Sequence, residues 1–266
     1  MAKVSVNLFA AEAEGGGLQF PPIENLVEWP AYLFEGTFAE FNKIALISVL
    51  AMAIPTVMFL AAGTDKIPSG LQNLVEGSVD FIDNQVILPA IGPEGFKFRP
   101  LLLSIFFFVF IGNLFEVIPT FHMPLNARMA VPAVLGILVL IVFVSVGIKE
   151  QGLGPYLKSS AGPSGLPKAM YLLVTPIEYL STFIVRPFSL AVRLFANMLA
   201  GHILLVTFGV LCITLWQTSL LALVVPFSFG MLVALTGFEI MVSFLQGFVF
   251  ALLAAVYIGG AMHPHH

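Results

Sequence analysis

Three ionisable side chains lie in two long apolar stretches near the end of the chain, and their types suit ion transfer. Arg193 and His202 lie in the run Leu172–Trp216, and Glu239 lies in the run Leu220–Ala261. Arginine keeps its charge in proteins, and a charge at bilayer depth costs about 2.5–3.5 kcal/mol or more. Histidine and glutamate can exchange protons. These residues predict an ion pathway, with a structural pairing inside a helical bundle as the alternative.

The polar residues of the first run divide between two faces of one helix, which turns by about 100° per residue. Arg193 shares a stripe with Arg186, and Ser189 and Asn197 flank that stripe. His202 points to the opposite face. Another helix could approach the Arg193 stripe closely, because its other members are small or polar. Arg186 lies near the end of the run, where its side chain could simply reach the membrane interface.

The second run carries a polar stripe of its own, in which Glu239 is the only charge. If the two runs form an antiparallel hairpin, residues at equal depth have numbers that add up to a constant. The pairs His202–Glu239 and Arg193–Gln246 meet this condition to within two residues. One hairpin would then hold a proton-exchanging pair and an arginine–amide pair. The residues of the second stripe are Glu239, Ser243, Gln246, Phe250 and Tyr257.

Composition indicates a membrane protein with little soluble structure. Of the 266 residues, 59% are hydrophobic and only 10% are charged, whereas soluble proteins carry about 25% charged residues. No basic run points to nucleic acid, and no glycine-rich phosphate loop points to nucleotide chemistry. A single cysteine, Cys212, excludes an internal disulfide. We expect no cofactor and no metal centre, although a short histidine tail, His263, His265 and His266, could bind a metal.

Five apolar runs are long enough to cross a bilayer, which takes about 20 residues. The last two would each be about 60 Å long as one helix, so they either tilt strongly or fold back as hairpins. The absence of a strong turn signal favours two long, tilted, antiparallel helices. We therefore predict an all-α polytopic fold, with an exposed segment over 1–40 and a single membrane domain over 41–266. The runs are Ile44–Gly63, Pro100–Pro119, Met129–Ile148, Leu172–Trp216 and Leu220–Ala261.

A further helix is predicted between the first two runs, along the membrane surface. Ser69 and Gln72 have the spacing of a capping box, and apolar and polar residues then separate onto two helical faces. This pattern favours an amphipathic helix on the bilayer over a soluble helix, since little else in the loop could cover it. The apolar face is Leu71, Val75, Val79, Ile82 and Val86, and the polar face is Gln72, Asn73, Glu76, Asp80 and Asp83.

The distribution of lysine and arginine predicts the orientation, because these residues concentrate in cytoplasmic loops. Two loops that would lie on one side carry Lys66, Lys97 and Arg99, and Lys149, Lys158 and Lys168. The other side has Arg128, an uncharged turn at 217–219, and an acidic N-terminal segment with Lys3 and Lys43. The N-terminus is therefore predicted outside and the C-terminus in the cytoplasm.

The segment Pro187–His202 closely resembles the signature helix of subunit a of F-type ATP synthases, and Phe238–Ile258 resembles that family's last helix. Upstream, Asn113 with Pro119 and the segment Pro68–Glu76 extend the likeness. The resemblance implies a bacterial plasma-membrane protein that acts as the proton-channel stator beside a rotating ring of c subunits. It also implies b-type peripheral stalk subunits as partners within the lipid bilayer.

The same resemblance implies roles for individual residues. Arg193 matches the family's essential arginine, with Asn197 and Gln246 as polar neighbours, and His202 and Glu239 match the proton-access pair. Glu178 resembles the acid near the inner end, although its spacing to Arg193 is one residue longer than the common pattern, which leaves its face open. The expected outer half-channel comprises His202, Glu239, Ser243, Glu116 and Asn113. The inner one comprises Glu178 and Ser189, with Tyr257 near that end of the last stripe.

Two other classes of function stay open from the sequence. A stand-alone secondary transporter or ion channel would need an ion path closed within one chain, and no internal repeat supports that class. A structural scaffold would have no need of Arg193. Proton and sodium coupling cannot be told apart, because that choice depends chiefly on the binding site of the ring.

Overall fold

The computed structural model describes residues 42–63, 70–118, 121–160, 168–215 and 223–262. These ranges contain helices and turns and no β-strand. Within them, five helices are long and apolar enough to cross a membrane. The prediction of an all-α polytopic protein with five spans is thereby confirmed. The predicted exposed segment over 1–40 lies outside the described residues.

The first spanning helix, α1, is Lys43–Ala61. The side chain of Asn42 precedes it and accepts hydrogen bonds from the backbone N–H groups of Ile44 and Ala45, each at 3.1 Å. Two of the N–H groups that a helix start leaves without a helical partner are thus satisfied.

The predicted surface helix is present as α2, Leu71–Ile82, which continues through a π-helical turn, Asp83–Ile87, to Leu88–Ala90. Ile82 and Val86 on its apolar face are fully buried in the core of the bundle. The capping box is not formed as predicted: Gly70 is the N-cap, Ser69 lies outside the described residues, and Gln72 donates to Glu76 instead. Gln72 is also buried, although it was assigned to the polar face.

The next two spanning helices are α3, Arg99–Leu114, which follows a 3₁₀ turn at Pro93–Phe98, and α4, Ala130–Gln151. The second run was predicted to extend to Pro119, but the helix ends at Leu114. It ends there because the N–H groups of Glu116 and Val117 bond three residues back, which forms a tighter turn. Between α3 and α4 lies a 3₁₀ turn, Leu125–Ala127.

A short helix, α5 at Leu153–Ser159, precedes the fourth span. That span is one continuous rod built from α6, Lys168–Leu180, a π-helical turn, Ser181–Val185, and α7, Arg186–Leu215. The last span, α8, is Val225–Met262. Neither rod folds back, so the long-helix interpretation is confirmed over the hairpin alternative. The predicted start of the last run at Leu220 lies outside the described residues, and the α-helix itself begins at Val225.

Two contacts fix the relation between α7 and α8. The carboxylate of Glu239 lies against the backbone of Gly201, where it would clash with any added Cβ. Toward the other end, the Arg186 guanidinium lies 5.5 Å from the centre of the Tyr257 ring. Residue numbers rise along one helix as they fall along the other, so the helices are antiparallel. The Gly201–Glu239 contact agrees with the depth register that the sequence predicted.

The two basic loops meet at one end of the bundle. Lys97 Nζ lies 2.8 Å from Glu150 Oε1, which joins the segment before α3 to the end of α4. Nearby, Gln151 Nε2 donates to the carbonyl oxygen of Ala261 at 2.7 Å. The loops therefore share one side, as predicted. Which side faces the cytoplasm stays a prediction.

Candidate ion-translocation site

Six buried polar side chains from four elements gather at the end of the bundle opposite the basic loops. We call this set the buried polar cluster. Each of its members is at most 4% exposed, and α3, the 3₁₀ turn, α7 and α8 all contribute. The members are Asn113 and Glu116 at the end of α3, Asn126 in the turn, His202 in α7, and Glu239 and Ser243 in α8.

Direct contacts join two pairs of members and bring Glu239 beside His202. His202 Nδ1 lies 3.4 Å from Glu116 Oε1, and Asn126 Nδ2 donates to Asn113 Oδ1 at 2.6 Å. Glu239 packs on Gly201, the residue before His202. The structure therefore brings His202, Glu116 and Glu239 close together, and the nearest acid to the imidazole in ion-pair geometry is Glu116.

Several polar atoms of the cluster have no hydrogen-bond partner within the described part of the protein. They include both carboxylate oxygens of Glu116, Glu239 Oε2 and Ser243 Oγ, together with Asn113 Nδ2 and Asn126 Oδ1. A buried polar group without a partner costs about 1–3 kcal/mol. Several such groups in one place form a site suited to water and to protons in transit.

Glu116 lies just beyond the end of the second span. Burial raises the pKa of its carboxyl, while the nearby His202 imidazole acts in the opposite direction. The neutral acid is therefore more favoured here than at an exposed site. Such a group can hold a proton and release it to a neighbour.

Arg193 lies on the outward face of α7 and is exposed, as are Ser189, Asn197 and Ala200. It makes no hydrogen bond or ion pair with any described residue. Arg193 and His202 thus occupy opposite faces, as predicted. No hydrogen bond joins Arg193 to Gln246, which is buried on α8.

A π-helical turn in the fourth span accounts for the spacing between Glu178 and Arg193. The π-helical turn Ser181–Val185 lies between Glu178 and Arg193. A π turn inserts one residue into an α-helix without breaking it, so it absorbs the additional residue in the spacing. Glu178 is half-buried, and the hydroxyl of its neighbour Tyr179 donates to the carbonyl oxygen of Leu157 at 2.7 Å.

Arg186 has a defined partner, since its guanidinium lies over the face of Tyr257. This geometry is that of a cation–π contact, and the reach of Arg186 to the membrane interface stays a prediction. Tyr257 itself is half-buried and its ring centre lies 6.0 Å from that of Phe143. This end of the hairpin joins α4, α7 and α8.

Sequence reasoning missed three residues that belong to this region. Asn126 lies between two predicted spans, where a polar residue is ordinarily a loop residue. Gly201 allows the Glu239 carboxylate to approach, and Ser228 is fully buried with an unpartnered hydroxyl eleven residues before Glu239. That spacing places Ser228 and Glu239 on one helical face, which is a signal that the sequence did contain.

Fold and site together define a polytopic helical membrane protein with ionisable groups on the two long helices of a hairpin. Among the described residues, no group of three His, Cys, Asp or Glu could hold a metal ion. The histidine tail lies outside those residues.

Comparison with known proteins gives the family. The family described as ATP synthase A chain matches residues 44–259. ATP synthase subunit a of Frankia alni is 42% identical over 234 residues, which cover 85% of this chain and 79% of that protein. The same subunit of Rhodococcus erythropolis is 41% identical over 239 residues (88% and 87%), and that of Streptomyces lividans 36% over 256 residues (95% and 91%). This chain therefore belongs to the ATP synthase subunit a family. Membership implies proton transport and partners in the membrane sector such as the c-ring.

Proposed function

We propose that this chain is the proton-translocating stator subunit of an F-type ATP synthase, with two offset half-channels and Arg193 between them. One observation carries the proposal. Arg193 is exposed and without a polar partner among the described residues, whereas the proton-exchanging groups of the same hairpin are buried. An exposed arginine without a partner in its own chain is suited to pair with a carboxylate of another subunit, and in this proposal that carboxylate belongs to the ring of c subunits.

The outer half-channel, in this proposal, is the buried polar cluster. Protons enter near Asn113 and Asn126, pass between Glu116 and His202, and reach Glu239 and Ser243. The 3.4 Å separation of Glu116 and His202 supports this order, as do the unpartnered oxygens of Glu239 and Ser243. Gln246, buried one turn further along α8, continues the route toward the ring.

The ring-facing surface, in this proposal, is the exposed face of α7 around Arg193, with Asn197 as its polar neighbour. Two exposed glycines on α8, Gly230 and Gly237, have open space where a side chain would lie. Small residues of this kind let another helix approach closely. A ring carboxylate that meets Arg193 is stabilised in its ionised form. It releases its proton there, and it can move back into lipid only after it takes up another.

The inner half-channel then runs past Ser189 and Glu178 toward the end that carries the basic loops. The exposure of Ser189 on the Arg193 face and the π-helical turn beside Glu178 support this route. The fixed charge of Arg193 also opposes a proton that would cross directly between the half-channels. Each elementary charge moved contributes about 2.3 kcal/mol per 100 mV of membrane potential.

Orientation and the remaining partners belong to the same proposal. The basic loops face the cytoplasm of a bacterial cell, so the C-terminus is cytoplasmic and the N-terminus is outside. Peripheral stalk subunits of b type hold the chain against the turning ring. Both statements rest on the positive-inside rule and on family membership.

Reconstitution separates the stator from a stand-alone transporter. The purified chain alone, in liposomes with a potassium-valinomycin potential and an internal pH dye, is expected to conduct no protons above the lipid background. The complete membrane sector with its ring is expected to conduct. Proton flux through the chain alone at the rate of the complete sector would instead establish a transporter or channel.

A further inference from the structure

A groove of about 550 Å³ lies between α1 and α3 on the outer surface of the bundle. Ala51, Leu103 and Phe107 form its floor and are all buried. Met52 and Leu60 stand at its rim with 63% and 80% of their surface exposed. The groove is therefore open to whatever surrounds the two helices, and for spanning helices the surroundings include lipid chains.

The polar atoms along the groove are already satisfied. The hydroxyl of Thr56 donates to the carbonyl oxygen of Met52, and that of Ser104 donates to the carbonyl oxygen of Pro100, each at 2.7 Å. Neither hydroxyl needs a polar partner from outside. An occupant of this part of the groove therefore meets an apolar wall and is itself apolar, because a polar group would lose its hydrogen bonds there.

One end of the groove carries an arginine that is paired with an acid and still has N–H donors to spare. Arg99 lines that end together with Val79 of the amphipathic helix α2. Arg99 donates from Nε and from one Nη to Asp83, and its guanidinium lies 4.9 Å from the centre of the Phe96 ring. A guanidinium has five N–H donors, so its second Nη keeps two. The Arg99 side chain is 38% exposed and can present them to a ligand.

We propose that this groove binds one glycerophospholipid, with its phosphodiester at Arg99 and an acyl chain along α1 and α3. The groove resembles a lipid in its arrangement of polarity, since N–H donors lie at one end and the rest of the wall is apolar. Arginine in particular suits phosphate oxygens.

A transmembrane helix of another subunit fits the groove less well. From Arg99 to Phe108 the groove follows about 14 Å of α3, which is about half of the roughly 30 Å over which a spanning helix crosses the hydrocarbon core. Such a helix also brings no phosphate to Arg99. The proposal does not depend on the proton path, so it stands or falls separately from the proposed function.

Photolabelling of the complete complex tests the proposal. The complex is reconstituted in vesicles that contain a phosphatidylglycerol with a photoreactive diazirine on one acyl chain, and labelled peptides are mapped by mass spectrometry. Labelling of residues 51–60 and 103–108 is expected to exceed that of the exposed face of α4 around Val134 and Ile141. Thr56→Phe fills the groove and is expected to lower its labelling about tenfold, the loss that follows when a site no longer admits the chain.

Two further variants complete the design. Ser145→Phe is the matched control, because Ser145 is also exposed and bonds to its own helix at the carbonyl oxygen of Ile141; groove labelling is expected to be unchanged. Asp83→Asn combined with Arg99→Gln removes the guanidinium without leaving a charge unpaired, and a fall of about tenfold in groove labelling is expected for the loss of hydrogen bonds to a charged group.

Equal labelling of the groove and the α4 face would mean that ordinary surrounding lipid lies there. Crosslinks from the groove to another subunit, with no lipid label, would mean a protein occupant. Either result overturns the proposal.

Discussion

At the scale of single residues, the chain separates two kinds of ionisable group that the sequence places close together. His202, Glu239 and Glu116 are buried together, and burial keeps bulk water away from them. Arg193 is exposed on the other face and has no described partner. In the proposed mechanism, the first set delivers protons, and the arginine decides where the ring releases them.

The first prediction concerns coupling between His202 and Glu239. Replacing either with a neutral residue is expected to slow proton entry, and the double change is expected to cost less than the sum, by about 0.5–3 kcal/mol. The reason is that each single change already interrupts one relay. The swapped variant, His202→Glu with Glu239→His, should recover part of the rate of proton entry. Passive proton flux through the membrane sector is measured for the two single changes, the double change and the swap. Strictly additive losses, with a swap no better than the double change, would mean that the two residues act separately.

The second prediction uses Glu116. Since burial raises the pKa of this carboxyl, it holds a proton to higher outside pH than an exposed glutamate does. Proton delivery through it should decline as the outside pH rises through that raised pKa. Glu116→Gln cannot take up a proton, so entry should be slower and this part of the pH dependence should vanish. Asp80→Asn, on the exposed face of α2, is the control, and an unchanged pH profile in Glu116→Gln would exclude Glu116 from the relay.

At the scale of elements, α7 and α8 pack closely beside Glu239 because Gly201 has no side chain there. A Cβ at position 201 would lie 2.6 Å from Glu239 Oε2 and 2.5 Å from its Cδ. Such distances force the carboxylate to move. The helices would still pair, because the rest of the interface is unaffected.

The third prediction follows from this contact. Gly201→Ala should leave the complex assembled but reduce proton-coupled activity about tenfold, since overpacking of this kind costs about 1–3 kcal/mol. Gly209→Ala lies on the same helix and meets no atom within 4 Å, so it should behave as the unaltered protein. ATP-driven pumping in vesicles compares the two. Equal pumping by both variants would show that the position of the Glu239 carboxylate is unimportant.

At the scale of the whole molecule, the sequence predicts the five spans well, and the structure buries several of the predicted site residues together. Residue order shows the long apolar runs, the ionisable residues within the last two runs, and the depth register of the two helices. The Gly201–Glu239 contact agrees with the predicted register, because an antiparallel hairpin allows few alternative pairings of residues at equal depth.

The rest depends on contacts between distant segments, which periodicity does not encode. Asn126 could not be assigned, because nothing local shows that its turn folds back onto Asn113. The π-helical turn before Arg186 replaces a regular helix without a clear sequence signal. The end of α3 at Leu114 depends on the turn hydrogen bonds of Glu116 and Val117.

The most direct test of the account is ATP-driven proton pumping by assembled complexes that carry Arg193→Ala. Pumping should be abolished while the complex still purifies intact and hydrolyses ATP, because nothing then forces a ring site to release its proton. Arg193→Lys should fail as well, since an ammonium is a point charge that can lose its proton. Arg186→Ala, one arginine earlier on the same helix, should still pump. Normal coupled pumping by intact Arg193→Ala complexes would contradict the account.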